Sequence, residues 1–202
     1  MQHYQFRNSE FHLSPDEIRR LIDSAPTLRD RMMVMLLAFT GIRRAEVRSL
    51  KKSDIDSNRR RLLIRLGKGG KQRIVFLPVE LVKALDSYCR ILHTAYLFPG
   101  RKGQQMSLRN VNYILARVGE RAGVYSPNPR YVNVGAHLLR HSLARNWKRA
   151  GGSLESLQKI LGHASLKTTL DIYGTESQED TEQNYRCLEN QLVGSFPTFD
   201  KL

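Results

Sequence analysis

The spacing of apolar residues changes period twice along the chain, which divides it into helices, a short β-rich stretch, and helices again. Ser14-Pro15-Asp16-Glu17 is a capping box with proline at the first helical position, and it predicts a helix to about Ala25. Arg29 to Thr40 reads as a second, strongly apolar helix that stops at Gly41, and a short third helix is expected over Arg44 to Leu50. The period then drops to that of strands. Arg61 to Leu66 and Arg73 to Pro78 are β-rich runs on either side of Gly67-Lys68-Gly69-Gly70-Lys71-Gln72, which predicts a hairpin with a glycine-rich, doubly basic loop. Helical spacing returns near residues 79–92, 107–122, 136–150 and 153–161, with a shorter helix around 166–173. Ser177 caps a last one running to about Leu192. The clearest loop is Tyr125 to Tyr131, with two prolines in seven residues.

No internal repeat, low-complexity tract or long linker interrupts this pattern. A chain of 202 residues is long enough to bury one proper core. The expected fold is therefore α+β, mainly α: a small antiparallel β-sheet or hairpin packed on a helical bundle. Cys89 and Cys187 are far apart and in no metal-like spacing, so neither a disulfide framework nor a zinc site is expected. The longest apolar run, Met32 to Phe39, is too short to span a bilayer, and the first residues lack the apolar segment of a secretory signal. A soluble protein acting in the cytoplasm is the expectation.

Charge narrows the choice of partner. The formal net charge is +14, and the sequence pI is near 10.2. From Gly174 onward, Glu176, Glu179, Asp180, Glu182, Glu189 and Asp200 face only Arg186 and Lys201, a net of −4 that leaves +18 on residues 1–173. A strongly basic body with a short acidic tail reads as a nucleic-acid-binding domain plus a segment with another role.

Several charged residues fall at junctions between elements. Arg43 follows Thr40-Gly41-Ile42, with Glu46 three residues on, and Lys68 sits on the hairpin loop. His137, Arg140 and His141 share one helix face at i, i+3 and i+4, with no acid in the stretch to pair with them. His163 follows Leu161-Gly162, and Tyr173 comes ten residues later. Each has a plain structural account: a surface charge, a solvated hairpin lysine, a helix cap, a core tyrosine. His137 and His141 also have half the spacing of a zinc site, but there is no acidic residue between them and no third ligand, so no metal is expected. Taken together they suit chemistry at a phosphodiester. Two arginines can clamp its non-bridging oxygens, a lysine can protonate a leaving oxygen, and imidazoles can move protons near neutral pH. A phenol beside cations and a base becomes a usable nucleophile. None of this requires a metal, ATP or other cofactor.

The motifs Thr-Gly-Ile-Arg-Arg-Ala-Glu-Val, Gly-Lys-Gly-Gly-Lys-Gln-Arg, His-Leu-Leu-Arg-His, Leu-Gly-His and Thr-Thr-Leu-Asp-Ile-Tyr stand in the order and approximate spacing of the tyrosine recombinases, the integrase family. The chain resembles that family from about Leu13 to Tyr173. The resemblance implies a catalytic domain over 13–173, after a tail of residues 1–12 and before an acidic tail at 174–202. It implies that Arg43 and Arg140 bind phosphate, Lys68 protonates the departing 5′ oxygen, and His137 accepts a proton. His163 would donate to phosphate, and Tyr173 would form a 3′-phosphotyrosyl link. Glu46 and His141 match supporting positions.

By the same resemblance, the partner is double-stranded DNA: four subunits would exchange strands on two duplexes, with accessory DNA-bending proteins as candidate helpers. A last helix with Tyr185, Leu188, Leu192 and Val193 would dock on a neighbouring subunit. Many members carry a separate N-terminal core-binding domain of about 100 residues, a common domain size. Some twelve residues precede the first predicted helix here, so weak, salt-sensitive DNA binding by this chain alone is expected. Two other readings share the motifs: a type IB topoisomerase relaxing supercoils with the same phosphotyrosine, and a non-catalytic DNA-binding regulator built on a recombinase.

Overall fold

The computed structural model describes residues 11–65, 72–163 and 165–173, with residues 171–173 described as backbone alone. The last predicted helix near 177–192, Lys68 with its loop, and the side chain of Tyr173 lie outside the described residues.

Local signals set the first two helices. In α1 (Pro15–Asp23), Ser14 Oγ accepts the Glu17 N–H at 3.2 Å, and the Glu17 carboxylate accepts the Ser14 N–H at 2.8 Å. Thr27 caps α2 (Leu28–Thr40) by accepting the Asp30 N–H at 3.1 Å, and Gly41 ends it in the left-handed region with φ of +59°. Met32, Met33, Val34, Leu36, Leu37 and Ala38 are all buried. Six apolar residues in seven positions cannot lie on one stripe, so α2 is surrounded, with α1, α4, α5 and α6 packed against it.

α3 (Arg44–Val47) is a single turn, shorter than the predicted span to Leu50. The Leu50 carbonyl accepts the Leu97 N–H at 2.8 Å, and the Lys52 N–H donates to the Ala95 carbonyl at 3.0 Å. Pairing with a distant strand-like segment has won over helix continuation. The sheet follows, with β1 (Ile55–Asp56), β2 (Arg61–Ile64) and β3 (Arg73–Phe76) antiparallel in that order. β2 and β3 form the predicted hairpin, while β1 is an unpredicted third strand. Leu62 stands opposite Val75 and Ile64 opposite Arg73; Leu62, Ile64 and Val75 are buried against the helices.

The remaining helices, α4 (Val79–Arg90), α5 (Leu108–Ala122), α6 (Ala136–Arg149), α7 (Leu154–Leu161) and α8 (Leu166–Tyr173), lie within two residues of the predicted spans. The α+β, mainly helical reading holds. α6 packs on α2, and α7 bridges α6, the β3 edge and α8. The chain enters along α6: the Leu13 N–H donates to Ser142 Oγ at 2.8 Å, and its carbonyl accepts from Asn146 Nδ2 at 3.4 Å. One large apolar core extends from Leu13 to Leu139, and a small one of Ala144, Leu157 and Leu161 holds α7. Among the described residues no helix is long and apolar enough to cross a membrane.

Candidate active site

The last carbonyls of an α-helix have no partner within the helix and carry the negative end of its dipole. At the end of α7, three consecutive carbonyls each accept from a different arginine. Ile160 O takes Arg73 Nε at 3.1 Å, Leu161 O takes Arg140 Nη2 at 2.7 Å, and Gly162 O takes Arg43 Nη2 at 3.4 Å. The three guanidiniums come from β3, α6 and the start of α3. Ser153 fixes the other end of α7 by capping the Ser156 N–H, and Gly162, with φ of +64°, turns the chain out toward His163.

Arg140 is only 5% exposed. Its Nη1 donates to the Gly41 carbonyl at 2.5 Å, so one guanidinium caps the C-terminal ends of both α2 and α7. The approach is close: a Cβ on Gly41 would stand 2.8 Å from Leu143 Cδ2 and 2.9 Å from Leu161 Cδ2.

Arg43 is held differently. Its own N–H donates to Glu46 Oε2 at 2.7 Å, and its Nη1 to Glu46 Oε1 at 3.1 Å. Arg73 reaches the same buried carboxylate as a fork, Nη1 to Oε1 and Nη2 to Oε2, both at 2.8 Å. Burial alone would raise the Glu46 pKa. The Arg73 hydrogen bonds, the Arg43 N–H and the two guanidinium charges outweigh it and hold the carboxyl below its ordinary value.

On α6, the Nε2 atoms of His137 and His141 approach to 2.6 Å with their rings nearly perpendicular. Burial, then the His137, Arg140 and His163 charges, push the His141 pKa down to about 3. His137 has one edge open; packing of its inner side and the Arg140 charge lower it too. Both rings are therefore neutral at pH 7. One Nε2 carries the shared proton, and the accepting ring keeps its own on Nδ1. His163 Nδ1 contacts Thr169 Oγ1 at 2.9 Å, which ties α7 to the buried Thr169 of α8, one turn before Tyr173.

The structure thus gathers Arg43, Arg140, His137, His141, His163 and Glu46 around the end of α7 and the first half of α6. Lys68 lies outside the described residues, five positions before Arg73. Beside His137 opens a cleft of about 920 Å³ whose lining includes Arg44, Arg109, Arg130, Tyr113 and Tyr131. Sequence reasoning named none of these five as site residues, and it took Arg73 only as part of a strand and a motif. The available signals were the arginine ending the Gly-Lys-rich motif and the proline-containing loop before α6.

Residues 12–180 match the phage integrase family. The chain is 37% identical over 164 residues to the tyrosine recombinase XerA of Thermococcus kodakarensis, covering 78% of this chain and 55% of that protein. The crystal structure of a XerA recombinase superposes with a TM-score of 0.75 at 34% identity, covering 93% of this chain and 66% of that one. A XerH site-specific recombinase bound to difH substrate, in a pre-cleavage complex, gives a TM-score of 0.70 at 27% identity over 86% of this chain and 53% of that one. The chain spans little more than half the length of the curated relative it matches. With its motifs, helical fold and arginine-bound α7 terminus, the chain belongs to the phage integrase family, among relatives that are tyrosine recombinases.

Proposed function

We propose that this chain is the catalytic part of a site-specific DNA recombinase. Tyr173 Oη attacks a DNA phosphorus, forming a 3′-phosphotyrosyl ester as the bond to the 5′ oxygen breaks. His137 takes the phenol proton, and Lys68 protonates the leaving 5′ oxygen. Attack by a 5′-hydroxyl of another strand reverses the step, so the ester conserves the bond and no outside energy is needed. Arg43 and Arg140 clamp the non-bridging oxygens, and His163 donates to one of them. Glu46 and His141 hold Arg43 and His137.

The observation that carries this reading is the meeting of Arg43 and Arg140 on adjacent carbonyls of the α7 terminus, one residue before His163. They come from segments almost a hundred residues apart. Two guanidiniums from distant segments are thereby brought to one helix end, a placement suited to binding an anion. The arginine-lined cleft beside His137 and the net charge of +14 suit a DNA backbone, and the XerH relative is DNA-bound. Residues 13–173 form the catalytic domain in this reading. The acidic tail docks on a neighbouring subunit in a tetramer on DNA; unchanged assembly after deletion of residues beyond Gly174 would contradict that part.

A nicked suicide duplex tests the chemistry. The wild-type chain forms a covalent protein–DNA adduct without added magnesium, Tyr173→Phe forms none, and Arg140→Ala slows adduct formation by about 10²–10³-fold, as for loss of a preorganised charge donor. Relaxation of supercoiled DNA without strand exchange would favour the topoisomerase reading. Duplex binding with no adduct would favour a regulator.

A further inference from the structure

We propose that Arg73 is a positioning residue for DNA cleavage, keeping Arg43 available to phosphate by taking up the charge of Glu46 while fixing the end of α7 beside it. This rests on the strand-transfer reading above.

Glu46 is buried, and each of its oxygens is shared between Arg73 and Arg43. Two guanidiniums around one carboxylate leave the cluster with one net positive charge. Remove Arg73 and, among the described residues, Arg43 alone is left to pair with the buried carboxylate, so the net charge of the cluster falls to zero and the Arg43 guanidinium is committed to Glu46. A buried ion stripped of one partner is a strong attractor for whatever remains.

The geometry is more specific than a charge count. Arg73 uses three nitrogens at once, two on Glu46 and Nε on Ile160 O, which a lysine ammonium on its flexible stem cannot reproduce. The contact is tight along the arginine stem, since a Cβ on Gly162 would stand 2.7 Å from Arg73 Cδ. Arg73 therefore sets the distance between the α3 start, which presents Arg43, and the α7 end, which presents His163. It also lies on the strand position paired with Ile64, at the end of the hairpin nearest the loop that carries Lys68. Two of the proposed groups, Arg43 and His163, thus take their placement from elements that meet at this side chain.

The test is single-turnover cleavage of the nicked suicide duplex by Arg73→Gln, Arg73→Lys, Glu46→Gln and the Arg73→Gln/Glu46→Gln double variant. Duplex affinity and thermal midpoint are measured alongside. Misplacing a reacting group by about 1 Å costs on the order of 10²-fold, so Arg73→Gln is expected to cut about 50- to 100-fold more slowly with duplex affinity within about threefold of wild type. Arg73→Lys, which restores the charge without the fork, recovers about tenfold of that loss. The double variant is no slower than Arg73→Gln, because the arginine acts through Glu46.

The inference is overturned if Arg73→Gln cuts within about threefold of wild type, if lysine rescues nothing, or if the two single losses multiply. It is also overturned if lost cleavage only tracks lost folded protein. Should Arg73→Gln fail to fold, Arg73→Lys decides: folded, binding DNA and slowed about tenfold supports the inference, while the wild-type rate or failure to fold overturns it. A wild-type chain that makes no adduct removes the strand-transfer reading and this inference together. Adduct formation that Arg73 variants leave untouched removes this inference alone.

Discussion

α2 and α7 are both central to the candidate site, but they are held in place by different forces. α2 is wrapped on nearly every side by side chains of the large core. α7 rests on three buried apolar residues, and its last three carbonyls are gripped by three arginines. Apolar burial is strong but non-directional, and hydrogen bonds to a charged group are modest but fix distance and angle. The difference teaches that the α2 region supplies stability, whereas the α7 region supplies placement. Damage in the two regions should therefore show up in different measurements.

The largest effect is expected from Leu36→Ala, which opens a cavity beside fully buried neighbours. Chemical denaturation should show a loss of about 2–5 kcal/mol, with the folded fraction still binding DNA. Leu157→Ala opens the small core instead, where about 2–3 kcal/mol is expected to fall on local opening. Hydrogen exchange should then quicken in α7 and leave the amides of α2 protected. Equal loss of protection in both helices would break the comparison, because it would make them one cooperative unit.

The most gradual effect comes from acid, at most about 1.4 kcal/mol for each pH unit. His141 is buried and neutral, with its pKa pushed from 6.5 down to about 3, so the unfolded chain binds a proton there that the folded chain refuses. Stability is then complete above about pH 6.5 and falls as pH drops below it, by at most about 1.4 kcal/mol per pH unit for one proton. Glu46, whose pKa is lowered from 4.5, adds its own loss only below that value. Thermal midpoints between pH 6.5 and 4.5 should decline in the wild type and decline less in His141→Asn. Parallel declines would mean that the histidine is not the group responsible.

The same contrast explains what could be read from the chain in advance. The helix start at Ser14 and the stops at Gly41 and Gly162 are local chemistry, each complete within a few residues, and they were legible. The early end of α3 was not, because the bond from Leu97 to the Leu50 carbonyl joins segments 47 residues apart in the chain. β1 is two residues long, too short to display alternation, and exists only through its pairing with β2. In the site, Arg43, Arg140, His137 and His163 stood out because they sit at junctions in ordered motifs. Arg73 looked like one more charge on a strand. Its partners, Glu46 and Ile160, lie 27 residues before it and 87 after.

The attachment of Leu13 to Ser142 and Asn146 has a mechanical consequence. A pull on the polypeptide ahead of Leu13 is passed at Leu13 to the helix that displays His137 and Arg140. A tether fastened at that end, such as a surface linkage or a fused domain, would therefore strain the candidate site directly, whereas an attachment in the turn after α4 would leave that helix unstressed.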